Sequence, residues 1–325
     1  MNLVVSAIVI FIIFLAIYFI TLISDMVKAK KTHQRYRFQQ YLVSSLFLLP
    51  AVILAFLFIV LPIIFSLSYS FTDYNLLKPD KAKFILFNNF IQIFKDLGRN
   101  SDLTNAVKNT GIFVFLVVPL QIGLALALAL FCHVKIKGNA IFKVCFFIPV
   151  VISLTITSYL WLEILSPSEN GLLNSFLSLF HIPAQDFINN RSMTMIWIVI
   201  ISAWQGCGYQ MLIFLSGLTG IRKDLYEAAR MDGCNAWQRF LHITLPGLRP
   251  TILYITITVF IGACRIMIQP MLMVGYQENS VTLSYFMWYQ GYKNYSVGYS
   301  SAVAFLMTIV IGSITFLQRK FLGEK

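Results

Sequence analysis

Thirteen acidic side chains, four histidines and five cysteines are what this chain offers for acid–base, nucleophilic or metal chemistry. Their spacing assembles none of it. Cys132, Cys145, Cys207, Cys234 and Cys264 are odd in number and stand at no metal-ligand interval. Four of them fall in or at the edge of apolar runs, where a free thiol behaves as a small hydrophobe. His33, His133, His181 and His242 are equally scattered. No G-x-x-x-x-G-K-[ST] run occurs, so no P-loop for ATP is present, and neither H-E-x-x-H nor G-x-S-x-G occurs. The residues left to consider are polar ones set in apolar stretches: Ser158 and Tyr159, Gln205 and Tyr209, and Arg265 with Gln269. In a hydrocarbon setting such groups either bond to their own protein or line a watery path. Arg265 is the sharpest case, since a cation at mid-span costs roughly 2.5–3.5 kcal/mol on insertion scales. Two readings stay open for it: a structural one, bonded to helix carbonyls or to an acidic group of a partner, and a path-lining one beside Gln269.

A second constellation is the polar island 221–250, IRKDLYEAARMDGCNAWQRFLHITLPGLRP, between two long apolar runs. Residues 224–231 form a short amphipathic helix with both signs of charge. Asp232-Gly233 signals its stop, because glycine accepts the positive φ that a helix end requires. Asn235 is placed to cap a second helix carrying Trp237, Phe240, Leu241 and Leu245 at helical spacing. Pro246 and Pro250 end that helix and start the next apolar run. The expected product is a helix–turn–helix knuckle standing in water.

The elements that must position these residues follow from composition. At 58% hydrophobic, 12% charged and a mean hydropathy of +0.76, the chain needs lipid as solvent. It is an all-α, polytopic membrane protein. About 20 helical residues cross the hydrocarbon core, which predicts about seven spans: 3–23, 43–66, 109–132, 144–165, 193–215, 252–274 and 299–317. Gly123 in the third and Gly262 in the sixth are small enough to let helices approach. The net charge of +12 is spread over the loops, which excludes a nucleic-acid face and records orientation instead. Lys and Arg are in excess on the side that holds 221–250. That side is then cytoplasmic, with the N-terminus outside and the C-terminus inside. The 3–23 segment lacks a basic n-region and a cleavage pattern, so it reads as a retained helix. Residues 171–181 are too short to span and lie along the outer interface.

The island resembles a family signature. Glu227-Ala228-Ala229, then Asp232-Gly233, then Ile243, Leu245 and Pro246 match the E-A-A-x3-G-x9-I-x-L-P loop of ABC importer permeases, with Cys234 where alanine is commoner. The order of motifs across most of the chain is similar to the carbohydrate-type, maltose and glycerol-phosphate group. The resemblance implies a type I importer permease domain over 42–325, preceded at 1–41 by an extra helix and basic linker. It implies that the loop docks on a cytoplasmic ATPase. It also implies two ATPase subunits carrying the ATP and Mg, a second and different permease, an extracytoplasmic binding protein and a carbohydrate substrate, in a bacterial plasma membrane. No cofactor or metal falls on this chain, and no catalytic residue. One departure is the stretch 273–280, MVGYQENS, where the family often carries Thr-x-Gly-Gly-Pro; this leaves the outer gate and substrate class open. A secondary transporter is the alternative, but it more often shows mid-membrane carboxylates for ion coupling. The same importer class with a non-sugar substrate is the other.

Overall fold

The computed structural model describes residues 20, 23–24, 38–134, 138–169, 171–190 and 193–323. The predicted first span at 3–23 and the basic segment behind it fall almost wholly outside the described residues. The chain is built of helices; among the described residues the only β pairing is two isolated bridges, Thr72 with Phe84 and Asn75 with Ser296. Helices α1 (Phe38–Ala55) and α2 (Leu61–Ser70) run on through a π-helical turn at Phe56–Val60. A loop and α3 (Asn88–Leu97) lead to the long α4 (Asp102–His133). Ser101 caps α4 by accepting from the Thr104 N–H, and Asp102 in its first turn suits the positive end of the helix dipole.

Next come α5 (Asn139–Val151), α6 (Leu154–Ile164), α7 (Leu172–Ser178) and α8 (Thr194–Thr219). The knuckle follows, then α12 (Arg249–Cys264), α13 (Ile268–Met273), α14 (Leu283–Trp288) and α15 (Val297–Gly323). Among the described residues five stretches are long and apolar enough to cross a membrane singly. The pair α5 and α6 passes that test only together, bent by 99°. Helices α4 and α8 form the central pair, with Ala125, Ala129, Met211 and Phe214 fully buried between them and α12 packed alongside. Gly208 sets the distance of α5 from α8: a Cβ there would lie 2.2 Å from the Phe146 carbonyl oxygen.

Two spans that read as continuous in the sequence are broken. The predicted 144–165 span turns at Ile152, behind Pro149, and Ser153 restarts the helix by accepting from the Ile156 N–H. The predicted 252–274 span stops at Cys264 and restarts at Ile268. The cause is Pro270, which has no N–H for the Ile266 carbonyl and clashes with it. That carbonyl instead accepts from Thr282 Oγ1 at 2.7 Å. Thr282 sits where the chain dips back toward the break after the 274–281 loop, and the Leu283 N–H there donates to Thr110 Oγ1 at 2.8 Å. Gly123 and Gly262 were expected to admit close helices, yet a Cβ at either would meet nothing within 4 Å. The 171–181 helix is shorter than expected, ending at Ser178.

Candidate functional site

The knuckle is assembled by short-range bonds. Its first helix, α9 (Lys223–Met231), ends in a Schellman turn: Cys234 N–H donates to Ala229 O at 2.9 Å and Gly233 N–H to Arg230 O at 3.1 Å. Gly233 takes φ +77° to make both, with open space where a Cβ would stand. Asn235 caps α10 (Ala236–Arg239) in a capping box: its side chain accepts from the Gln238 N–H, and Gln238 Oε1 accepts from the Asn235 N–H, both at 2.8 Å. The second helix then departs from expectation. It passes through a π-helical turn at Phe240–Thr244 and reaches α11 (Leu245–Gly247) with Pro246 inside its first turn. The Leu245 N–H bonds back to Phe240 O, and the wider register absorbs the donor that Pro246 lacks. Tyr226 Oη and Thr244 Oγ1 meet at 2.9 Å, joining α9 to the π turn.

Glu227, Ala228, Asp232, Gly233 and Pro246 are exposed, while Ala229, Ile243 and Leu245 are half-buried. Apolar side chains stand out among them, Met231 at 88% and Trp237 at 65% exposure. Glu227 pairs with neither Arg230 nor Arg239; Arg239 Nη1 instead donates to the Cys234 carbonyl at 2.5 Å. The ion pair here is Arg222 with Asp224, whose carboxyl it holds below the usual range. Both partners are exposed, so the pair adds little stability.

The second site is a cavity of about 640 Å³ where α4, α8 and both broken spans converge. Arg265, Gln269 and Gln205 line it together; Ser158, Tyr159 and Tyr209 do not. Ser158 is buried and donates back to Leu154 O at 2.7 Å, whereas Tyr159 and Tyr209 are exposed elsewhere. The cavity wall is an amide ladder. Ser202 Oγ lies 2.6 Å from Gln269 Oε1 and 2.7 Å from Ile198 O, sharing its one proton between them, and Gln269 Nε2 donates to Gln205 Oε1 at 3.3 Å. Gln205 Nε2 donates to the Ile152 carbonyl at 3.1 Å and to Thr157 Oγ1 at 3.3 Å. One ladder thus joins α8 to the break before α6 and to the break before α13, and it satisfies a carbonyl that the α5–α6 bend frees.

Arg265 caps α12, its N–H bonded to Gly262 O at 3.1 Å. A helix C-terminus favours a cation by about 0.3–1 kcal/mol when exposed, well short of the roughly 2.5–3.5 kcal/mol that insertion costs. Its guanidinium forms no ion pair or side-chain hydrogen bond with another described residue, and it faces the open cavity. Sequence reasoning passed over Gln121 and Gln210, which also line this space. The signal for Gln121 was present: it is the one amide in the apolar run 111–132. Gly206 makes room for it, since a Cβ there would lie 2.2 Å from Gln121 Nε2. On the far side from the knuckle, burial and the neighbouring Asp102 push the Tyr276 phenol up, so it stays a donor to Asp102 Oδ2 at 3.1 Å.

A bundle of apolar helices around a cavity that holds an arginine and several carboxamides, with an exposed knuckle at one end, is the build of a multi-pass membrane transport protein. Residues 99–325 match the family described as binding-protein-dependent transport system inner membrane component, and the chain belongs to that family. It is 30% identical to the probable ABC transporter permease protein YurN of Bacillus subtilis (strain 168), over 87% of this chain and 97% of YurN. It is 31% identical to the arabinooligosaccharides transport system permease protein AraP of the same organism, over 86% of this chain and 88% of AraP. Among solved structures it is similar to a chain of the bacterial alginate ABC transporter in complex with alginate pentasaccharide-bound periplasmic protein. The TM-score is 0.76 at 22% identity, covering 87% of this chain and 94% of that one. The fold is that of a type I ABC importer permease, and the protein is a multi-pass inner-membrane component.

Proposed function

We infer that this chain is one permease subunit of an ATP-driven importer of a sugar or oligosaccharide delivered by an extracytoplasmic binding protein. The observation that carries the reading is the knuckle: the Glu227–Pro246 signature folds into a single exposed block, tied by its own caps, in a family defined by binding-protein-dependent transport. Relatives of this length named for arabinooligosaccharide transport support the saccharide. In this reading 221–250 docks on a cytoplasmic ATPase, with Glu227, Ala228, Ala229, Asp232, Gly233 and Pro246 open to it and Ile243 and Leu245 seating the block on the bundle. Two ATPase subunits carry the ATP and Mg, and a second permease completes the path. This chain does no hydrolysis itself; its role is to rock the cavity between the two sides of the membrane.

Reconstitution with the ATPase, partner permease and binding protein tests this. Saccharide uptake into proteoliposomes is expected only with ATP. Uptake driven by a proton or sodium gradient without the ATPase overturns the reading in favour of a secondary transporter. Orientation is tested separately: in intact cells an impermeant thiol reagent is expected to label a cysteine placed at Asn100 and to spare one placed at Lys223. Labelling at Lys223 from outside inverts the topology and removes the ATPase contact.

A further inference from the structure

The hydrogen-bonding ledger of the cavity names what it has left to offer. The oxygens of Gln205 and Gln269 each already take one contact within the wall, and Gln205 Nε2 spends both its donors on Ile152 O and Thr157 Oγ1. Three side chains are not spent in this way. Gln210 is 9% exposed and its Oε1 has no partner among the described residues. Gln121, at 8% exposure, forms no hydrogen bond with another described residue. Arg265 brings a donor-only, permanently charged fork. None of the residues lining the cavity is Asp or Glu. Among the described residues of this chain, the space therefore holds one fixed positive charge and no counter-charge.

We propose that the saccharide this cavity admits carries an anionic group, a carboxylate or a phosphate, held by Arg265 while Gln121 and Gln210 take its neutral hydroxyls. The proposal rests on the importer reading above. While the cavity is open, water solvates the guanidinium. When the spans close around a substrate that water leaves, and a neutral sugar leaves an uncompensated cation in a low dielectric. An anionic sugar arrives with the counter-ion, and a planar guanidinium matches carboxylate or phosphate through paired, charge-assisted bonds. The two carboxamides supply both donors and acceptors, which suits hydroxyls. A volume of about 640 Å³ is in the ordinary range for small-ligand sites.

The test is equilibrium binding of labelled saccharides to the purified ATPase–permease complex without binding protein, followed by uptake in the full system. The probes are a neutral oligosaccharide, its uronate counterpart and a sugar phosphate. At least one anionic probe is expected to bind about tenfold or more tightly than the neutral one, and which of them does so identifies the group. Arg265→Gln is expected to erase that preference and Arg265→Lys to keep much of it. Equal binding of neutral and anionic probes to the wild-type complex overturns the proposal. So does an Arg265→Gln complex that loses affinity for both equally. If Arg265→Gln fails to assemble, the wild-type comparison alone decides. Uptake of neutral saccharides but not acidic ones sinks this proposal and leaves the importer reading standing. ATP-dependent uptake of no saccharide at all sinks both.

Discussion

The knuckle and the cavity are built by opposite means. The bonds that shape the knuckle lie within the island itself: the Schellman pair, the capping box and the Arg239 to Cys234 contact a few positions apart, and Tyr226 to Thr244 across 18 residues. The cavity depends on partners brought from distant parts of the chain, Gln205 to Ile152 across 53 residues and Gln269 to Gln205 across 64. The knuckle is accordingly a device whose shape is written into its own residues. The cavity exists only once four spans have packed, and its polar groups serve both to close broken helices and to face the interior. Local damage should therefore cost the knuckle its shape and nothing else, whereas damage at the cavity should spread into the fold.

The contrast breaks most severely at Gly208. Leucine there drives a side chain into the Phe146 backbone, which cannot move aside as a flexible tip can. We expect a loss of roughly 3 kcal/mol, read as a collapse in detergent-stable yield and melting temperature. Normal yield and melting would mean that α5 and α8 do not approach as described. Next is the ladder. Gln205→Leu strands the Ile152 carbonyl and the Gln269 amide, for about 1–3 kcal/mol. Because the two glutamines share one bond, adding Gln269→Leu should cost less than the sum of the single changes, by about 0.5 kcal/mol or more. Strict additivity in a melting series would show the ladder to be incidental.

At the knuckle the expected effects are smaller in energy and confined in place. Gly233→Val forces a branched residue into a left-handed backbone at a cost of roughly 1–2 kcal/mol. We expect uptake to fall roughly fivefold to thirtyfold with the protein still in the membrane, and Gly233→Asn to recover most of it. Since no atom lies within 4 Å of the missing Cβ, equal loss with Asn and Val would point to steric contact with a docked partner rather than to the turn. The smallest effect is Asn235→Ala, about 1 kcal/mol through the cap. It should appear as faster amide exchange over α10 and no change at the ladder. Faster exchange in α8 would contradict the independence of the two regions.

That same division decides what could be read from the sequence. The knuckle was legible almost residue by residue, because Gly233, Asn235 and the acidic first turn act on their neighbours. Its π turn was not, since nothing in Phe240–Thr244 alone asks for a wider register. The placement of the apolar spans within the described residues followed from hydropathy, but the breaks did not. Pro149 and Pro270 were visible, yet a proline in a span says only that a carbonyl is freed. Whether the helix kinks gently or turns through 99° depends on which distant side chain takes that carbonyl. The cavity residues show the same limit. Arg265, Gln205 and Gln269 were found because they are polar in apolar runs. By that criterion Ser158, Tyr159 and Tyr209 looked equivalent, and only packing separates a lining group from one that bonds to its own helix or faces outward.

The π turn and the Tyr226–Thr244 bond have a mechanical consequence. They tie the knuckle to the turn at Leu248, where α12 begins, and its sixteen residues run about 24 Å as unbroken helix to Cys264. Such a helix is a push-rod. In the importer reading proposed above, a displacement imposed at Glu227 would pass along it to the gap between Cys264 and Ile268. There it becomes a change of angle, delivered at the residue that carries the cavity's charge.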